Sequence, residues 1–379
     1  MSLTQKYLYK CVYLQRNFKP IVIKKSIILL FFFAVAFPFT SRAESESVTA
    51  EKKDVSSQVV EHIMNHVADA NEYHIVTIGE DHITMPLPCI LYRKSDGKFS
   101  FILSSRFHHQ EEINGYKLNE ETGRVVDAAT GKRDAFIDFS ITKNVFHMIL
   151  SFLVLTLIFV SMKKAYSTRK NQAPKGMQGL LEPIIVFLID EIFKPILGDK
   201  YEKFLPYLLS VFFFILINNL LSLIPFFPGG ANASGNIAFT FALAFCSFIL
   251  ININGTKHYW RHIFAMPGIP LPVLIILTPI EILGIFLKPA VLMLRLFGNI
   301  TGGHIAVLSI ASLIFILGEN GTKIGGAIAG GSMAIPIMLF VSAIELLVAF
   351  LQAFVFTLLS AIFISMAMEG DHAHAEEHH

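Results

Sequence analysis

An arginine lies in the middle of a long apolar run near the C-terminal end of the chain. The run extends from Leu271 to Leu317, and Arg295 shares it with Lys288 and Asn299. A charged side chain at the centre of a membrane helix costs about 2.5 to 3.5 kcal/mol on insertion scales, so partners, water or a function must compensate for it. A guanidinium keeps its charge on burial, whereas a lysine ammonium can lose its proton. Arg295 therefore predicts a functional site in the membrane that needs a permanent positive charge.

The spacing around the arginine predicts one polar stripe on a helix. At about 100° per residue this stripe contains Lys288, Val291, Leu292, Arg295, Gly298, Asn299 and Gly302. Gly298 and Gly302 form a G-x-x-x-G spacing, which allows another backbone to approach closely in lipid. Two simpler interpretations stay open: the glycines serve only helix packing, or Arg295 extends to the lipid headgroups. Apolar sequence on both sides of Arg295 argues against the second.

The elements that must position this stripe are membrane helices. Of 379 residues, 53% are hydrophobic and only 16% are charged, which indicates a polytopic membrane protein. We expect an all-α polytopic membrane domain over 144–368 with about five membrane helices and one interfacial amphipathic helix. The predicted membrane helices are 145–162, 204–225, 236–253, 271–317 and 333–368, and the interfacial helix is 177–197. Basic residues that follow the first helix, from Lys163 to Lys175, mark the cytoplasmic side.

The run 271–317 is too long for an upright helix. Its 47 residues would extend about 70 Å as one helix, over twice the hydrocarbon thickness. Hydropathy alone permits either a hairpin or one long tilted helix. The last run, 333–368, is also longer than one bilayer and carries Glu345 and Gln352 seven residues apart on one face.

The N-terminal part of the chain has a different composition. Residues 1–43 combine basic positions with an apolar core, which predicts a secretory signal peptide cleaved after Ala43 or, alternatively, an uncleaved anchor. Short alternating runs over 44–143 predict a small β-rich periplasmic domain. The polar tail 369–379 is expected in the cytoplasm. No spacing of histidine, cysteine and acidic residues indicates a metal or cofactor site.

Two motifs carry a resemblance to a known family. Leu294-Arg295-Leu296-Phe297-Gly298-Asn299, with Glu281 and Lys288-Pro289 before it and Gly302-Gly303 after it, resembles the signature of subunit a, the stator proton-channel subunit of the membrane sector of F-type ATP synthases. The block from Leu351 to Phe356 resembles that family's last helix. The resemblance covers the chain from about Val145 onward, and it favours one tilted, kinked helix over 271–317.

The resemblance implies a role for each polar residue near Arg295. Arg295 would face a ring of rotor helices, drive proton loss from one carboxylate on each, and separate two half-channels. Asn299 and Gln352 would be its polar neighbours. Glu281 and Asn219 are further half-channel candidates, whereas Ser222 departs from the acidic residue that the family often has there.

A histidine and a glutamate complete the set that the resemblance implies. His304 takes a position often held by glutamate, and Glu345 takes one often held by histidine, so the two residue types are exchanged in this sequence. Either order supplies one carboxylate and one imidazole for a proton relay. A structural hydrogen-bonded pair is the alternative. His304 is nine residues beyond Arg295 and therefore lies about 180° around the helix.

The resemblance also implies partners and a location. The expected partners are the rotor ring of subunit c, the peripheral stalk subunit b, other ATP synthase subunits and membrane lipid, with no nucleic acid. The chain would be a non-catalytic subunit in the cell inner membrane. Two rivals are a secondary transporter or channel that uses Arg295 for an anionic solute, although we find no paired repeat, and a membrane-anchored binding protein that uses 44–143.

Overall fold

The computed structural model describes residues 69–78, 81–108, 112–119, 123–168, 176–224, 229–266, 269–318 and 323–368. The predicted signal peptide 1–43 and tail 369–379 lie outside the described residues. The described residues from 69 to 142 are here called the N-terminal unit.

The N-terminal unit contains short antiparallel strands. They are β1 Glu72–Ile78, β2 Asp81–Pro86, β3 Pro88–Arg93, β4 Phe99–Leu103, β5 Tyr116–Asn119, β6 Arg124–Asp127 and β7 Phe136–Asp138. Strands β1 and β2 pair, β3 lies between β4 and β7, and β5 pairs with β6. Cys89, Leu91, Tyr116, Val125 and Phe136 form a small core between these sheets. The side of the membrane on which the unit lies stays a prediction.

Helices make up the rest of the described chain. They are α1 Lys143–Thr168, α2 Met177–Phe187, α3 Lys194–Leu197, α4 Tyr201–Ser222, α5 Ile237–Ile253, α6 Lys257–Phe264, α7 Leu271–Leu317 and α8 Ile324–Met368. Among the described residues, four helical stretches are long and apolar enough to cross a membrane, and α5 with α6 makes a fifth if that pair, bent by 103°, is one span. The architecture is therefore that of a helical polytopic membrane protein.

Helix α7 is one continuous helix of 47 residues with the bounds of the apolar run. It packs antiparallel on α8, which begins at Ile324 instead of the predicted 333. The difference has a packing cause, because a β-carbon on Gly326 would collide with the carbonyl of Leu317, and one on Gly330 would come within 3.0 Å of the Leu313 carbonyl. Small residues thus let the two backbones approach, and this close packing offsets the low helix propensity of glycine.

The segment predicted as one amphipathic helix over 177–197 is interrupted. A π-helical turn, Leu188–Phe193, separates α2 from α3. Asp190 and Glu191 lie within this turn. Such a turn inserts a residue and rotates the next part of the helix, so no single polar face runs unbroken through the segment. Glu182 is buried, contrary to the predicted polar face, and it accepts a hydrogen bond from Gln178 Nε2 at 3.1 Å.

Helix α4 is the central helix of the membrane domain. Phe212 and Phe213 on this helix are almost fully buried, and they contact Phe350 on α8 and Phe159 on α1, while Phe214 contacts Phe239 on α5. The last two turns of the helix carry two buried asparagines, Asn218 and Asn219. The bundle therefore places polar groups where α1, α4 and α8 meet.

Candidate functional site

The stripe that carries Arg295 faces away from the chain's own core. Arg295 and Asn299 are exposed, whereas Leu292 and Leu296 are 2% and 1% exposed and anchor α7 to the bundle. The prediction that Leu292 belongs to the polar stripe is therefore wrong, since the apolar contact with the bundle sets how α7 is rotated. Among the residues that the structure describes, no hydrogen bond or ion pair to Arg295 is found.

The two glycines beside Arg295 are not used for packing within the chain. Gly298 and Gly302 are exposed, and a β-carbon placed on either would have no described atom within 4 Å. This contrasts with Gly326 and Gly330, which α7 contacts closely. The exposed surface of Arg295, Gly298, Asn299 and Gly302, here called the arginine face, is thus cationic and lies open on the outside of the bundle.

Lys288 is separate from the arginine face. It is half-buried, and its ammonium lies 5.6 Å from the centre of the Phe363 ring and 6.0 Å from that of Tyr259. Glu281 interacts electrostatically with Lys288 and with Tyr259. Fourteen residues of helix separate Glu281 from Arg295, which is about 21 Å, so the structure does not bring these two together.

Glu345 lies against α7 next to His304. A β-carbon on Gly303 would come within 2.6 Å of Glu345 Oε1 and 3.3 Å of its carboxyl carbon, so the carboxylate rests on the backbone of Gly303. His304 follows in the chain, and both titratable side chains are half-buried. The structure therefore places the Glu345 carboxylate of α8 on the residue of α7 that precedes His304.

The antiparallel pairing of α7 and α8 also places Gln352 and Arg295 at about the same height along the two helices. Gln352 is seven residues beyond Glu345 on α8, and Arg295 is eight residues before Gly303 on the antiparallel α7. Their side chains point in different directions, since Gln352 is buried and Arg295 is exposed. Gln352 thus lies behind the arginine face.

Asn219 joins three parts of the chain. Its Nδ2 donates to the carbonyl of Ala349 on α8 at 3.2 Å, and its Oδ1 accepts from Ser234 Oγ at 2.6 Å. Ser222 Oγ donates to the backbone carbonyl of Asn219 at 2.8 Å. Ala349 is one helical turn from Glu345, so Asn219 contacts α8 one turn away from that carboxylate.

Sequence reasoning missed a buried polar group on α1. His147 and Ser151 have no exposed surface, and both lie against Asn218. The sequence contains a signal for this group, because Lys143, His147 and Ser151 recur every fourth residue in a helix that is largely apolar. Polar residues at that spacing share one helix face.

Comparison with known proteins gives two family matches. The family model described as ATP synthase A chain matches residues 145–365, which is more than half of the chain. A domain of unknown function matches residues 62–144. The first match covers the described helices from α1 onward, and the second covers the strands of the N-terminal unit.

Individual relatives are similar over the same part. The chain is 43% identical to ATP synthase subunit a 2 of Chlorobaculum tepidum over 253 residues, which span 64% of this chain and 66% of that protein. It is 38% identical to ATP synthase subunit a of Chloroherpeton thalassium over 284 residues, or 72% and 80% of the two chains. It is 35% identical to ATP synthase subunit a of Myxococcus xanthus over 256 residues, or 66% and 80%.

Proposed function

The chain belongs to the ATP synthase A chain family, and we propose that it is the stator proton channel of an F-type ATP synthase, with two half-channels that meet at Arg295. It is a non-catalytic, multi-pass subunit of the membrane sector, Fo, and its partners are other ATP synthase subunits. The observation that carries the proposal is the arginine face, which presents a permanent cation and two open glycines on the outside of the bundle.

The chemistry of the arginine face fits a moving carboxylate on another chain. A cation within about 4 to 6 Å favours the ionised form of a carboxylate, so Arg295 would release the proton of each acid that passes it. The same fixed charge would repel a proton between the two half-channels and prevent a leak. The exposed Gly298 and Gly302 support close approach of rotor helices. We therefore assign this face to the ring of subunit c.

The remaining site residues are assigned to the half-channels and to support of the arginine. His304 and Glu345 would relay protons on one side, with Asn219 beside them, while Glu281 would belong to the other half-channel. Asn299, on the exposed side, and Gln352, on the buried side, would hold or hydrate the guanidinium of Arg295. Peripheral stalk subunit b and membrane lipid are proposed to cover other parts of the bundle.

The location follows the same proposal. The chain would lie in the cell inner membrane with the N-terminal unit in the periplasm and the C-terminus in the cytoplasm. One proton that crosses the membrane releases about 2.3 kcal/mol of free energy per 100 mV of membrane potential. The rotation must therefore add the free energy of several protons for each ATP. The chain would be the stationary part of this motor.

A charge-conserving substitution tests the role of Arg295. Arg295→Lys should abolish ATP-driven proton pumping in inverted membranes, because an ammonium in this setting can lose its charge and lacks the guanidinium's planar set of donors. Arg261→Lys, the same change at an exposed position on α6, is the matched control and should pump normally. Full ATP synthesis by Arg295→Lys membranes would contradict the proposal.

A further inference from the structure

A polar stripe runs along the first three turns of α1. Lys143, His147 and Ser151 are four residues apart and share one face, and the rest of the helix is largely apolar. His147 and Ser151 have no exposed surface, and Lys143 is half-buried. A titratable side chain buried within a membrane helix is costly and marks an ion pathway or a polar contact between helices. The proposed function assigns no role to His147.

The stripe faces the end of α4. His147 Nε2 lies 3.4 Å from the backbone carbonyl oxygen of Asn218, and Ser151 Oγ donates to Asn218 Oδ1 at 3.1 Å. Asn218 Nδ2 in turn donates to the carbonyl of Phe214 at 2.8 Å. The imidazole of His147 thus enters a group of polar atoms that lies between α1 and α4.

Polar groups continue from this point to the proposed relay residues. Asn219, the next residue on α4, bonds the Ala349 carbonyl on α8, and Glu345 lies one turn away from Ala349. Glu345 in turn rests on Gly303, beside His304. The polar residues of this series, from His147 on α1 through Asn218 and Asn219 on α4 to Glu345 on α8 and His304 on α7, are here called the polar band.

The other end of the stripe meets the N-terminal unit. The backbone N–H of Lys143 donates to the Ala70 carbonyl at 2.9 Å, and that of Asn144 donates to Asp69 Oδ1 at 3.2 Å. Arg124 Nε donates to the Asp69 carbonyl at 2.7 Å. The charge of Lys143 interacts with Asp69 and Arg124 in the unit and with His304 on α7. Charged groups therefore surround the start of the stripe.

We infer that His147 is a proton-relay residue on the half-channel that reaches Glu345 and His304, and that protons enter this route from the side of the N-terminal unit. The inference rests on the proposed function. The imidazole accepts a proton from water at one ring nitrogen and releases the proton of the other nitrogen to water further along the band. Only N–H bonds form and break, nothing is oxidised or reduced, and a return of the ring to its first tautomer completes the cycle.

The test must separate relay from packing. His147→Gln keeps an N–H donor for the Asn218 carbonyl but cannot accept and release a proton. The variant should therefore function normally if His147 only holds the helices together, and it should fail if His147 transfers protons. We expect ATP-driven proton pumping in inverted membranes to fall by about tenfold or more, the lower end of what a positioned acid-base group contributes. His262→Gln, the same change at an exposed position on α6, should leave pumping intact. Normal pumping by an assembled His147→Gln complex would overturn the inference.

A second measurement decides the question even if His147→Gln does not assemble. In a chain whose own cysteines are replaced by alanine, Ser151→Cys should react with Ag⁺ added on the side of the N-terminal unit, and pumping should stop. Leu155→Cys, one turn further along the same face and 4% exposed, should not react. If neither Ser151→Cys nor Leu155→Cys reacts with Ag⁺, the inference is wrong.

Arg295→Lys separates the two proposals. If Arg295→Lys membranes pump normally, the proposed function itself fails. If Arg295→Lys abolishes pumping while His147→Gln and Ser151→Cys behave as wild type, the proposed function stands and only the proton route through α1 is wrong.

Discussion

The carboxylate of Glu345 rests on α7 because residue 303 has no side chain. Any β-carbon at this position would lie within 3.3 Å of three atoms of Glu345. The neighbouring Gly302, one residue earlier, is open instead, and it belongs to the arginine face. The two adjacent glycines thus have different surroundings: Gly303 contacts a carboxylate from α8, and Gly302 has open space beside it.

This geometry predicts the effect of one methyl group. Gly303→Ala should push the Glu345 carboxylate out of place and lower ATP-driven proton pumping several-fold, although no titratable group is removed. The helix itself should gain stability, since alanine is favoured over glycine by about 1 kcal/mol in a helix interior. Pumping in inverted membranes is the measurement. Gly284→Ala, on the same helix with no described atom within 4 Å of the added carbon, should be normal; an equal loss in both variants would contradict the prediction.

At the scale of elements, the long helices are held by a few buried polar contacts among many apolar ones. Asn219 connects α4 to α8 and to the loop that contains Ser234. Tyr207 on α4 shares a hydrogen bond of 2.5 Å with Ser247 on α5. Since lipid tails are as apolar as leucine, such contacts and close packing fix the relative position of membrane helices.

Asn219→Ala is therefore expected to destabilise the bundle. It leaves the Ala349 carbonyl and the Ser234 hydroxyl without this partner, at a cost of about 1 to 3 kcal/mol for buried groups. The measurement is thermal unfolding of the detergent-solubilised complex. Asn252→Ala is the control, because the bond of the Asn252 amide that the described residues show lies within its own helix, to the Phe248 carbonyl at 2.8 Å. If both variants unfold at the wild-type temperature, Asn219 does not hold α4 to α8.

At the scale of the molecule, the N-terminal unit and the helix bundle share contacts. Tyr73 and Leu87 in the unit pack with Ala231 in the loop between α4 and α5, and Phe146 on α1 lies against them. The Tyr73 hydroxyl donates to the carbonyl of Gly229 in the same loop. The unit is thus fixed to the end of the bundle where the polar band begins.

Removal of the Tyr73 hydroxyl should loosen this attachment. Tyr73→Phe is expected to cost about 0.5 to 1.5 kcal/mol and to speed amide hydrogen exchange in the first turn of α1. Tyr92→Phe is the control within the unit, where the ring packs at 4.9 Å on Phe99. Unchanged exchange in Tyr73→Phe would show that apolar packing alone holds the unit.

The same contact predicts a dependence on alkaline pH. Burial raises the pKa of Tyr73 from 10.0 to about 12. Because the folded pKa lies above the unfolded one, this contribution to stability is complete below pH 10 and is lost as the pH rises through about 12. Amide exchange in the first turn of α1 should therefore speed up over this window in the wild type and less so in Tyr73→Phe.

The sequence by itself determined the features that depend on local spacing. Apolar runs of sufficient length define the membrane helices, and the position of Arg295 within one of them follows from hydropathy alone. Asn299 and the two glycines share a face with Arg295 because the helix repeat fixes their angles. Even the bounds of α7 could be read from the run 271–317, once the hairpin was set aside.

Only the tertiary structure decided which residues from distant parts of the chain meet. The contact of Glu345 with Gly303, the bond from Asn219 to Ala349 and the approach of His147 to Asn218 depend on how helices far apart in sequence are rotated and aligned. The Gly-rich start of α8 is helical for the same reason, because its small residues pack on α7. Such alignment is set by packing between elements, and no repeat within a single helix encodes it.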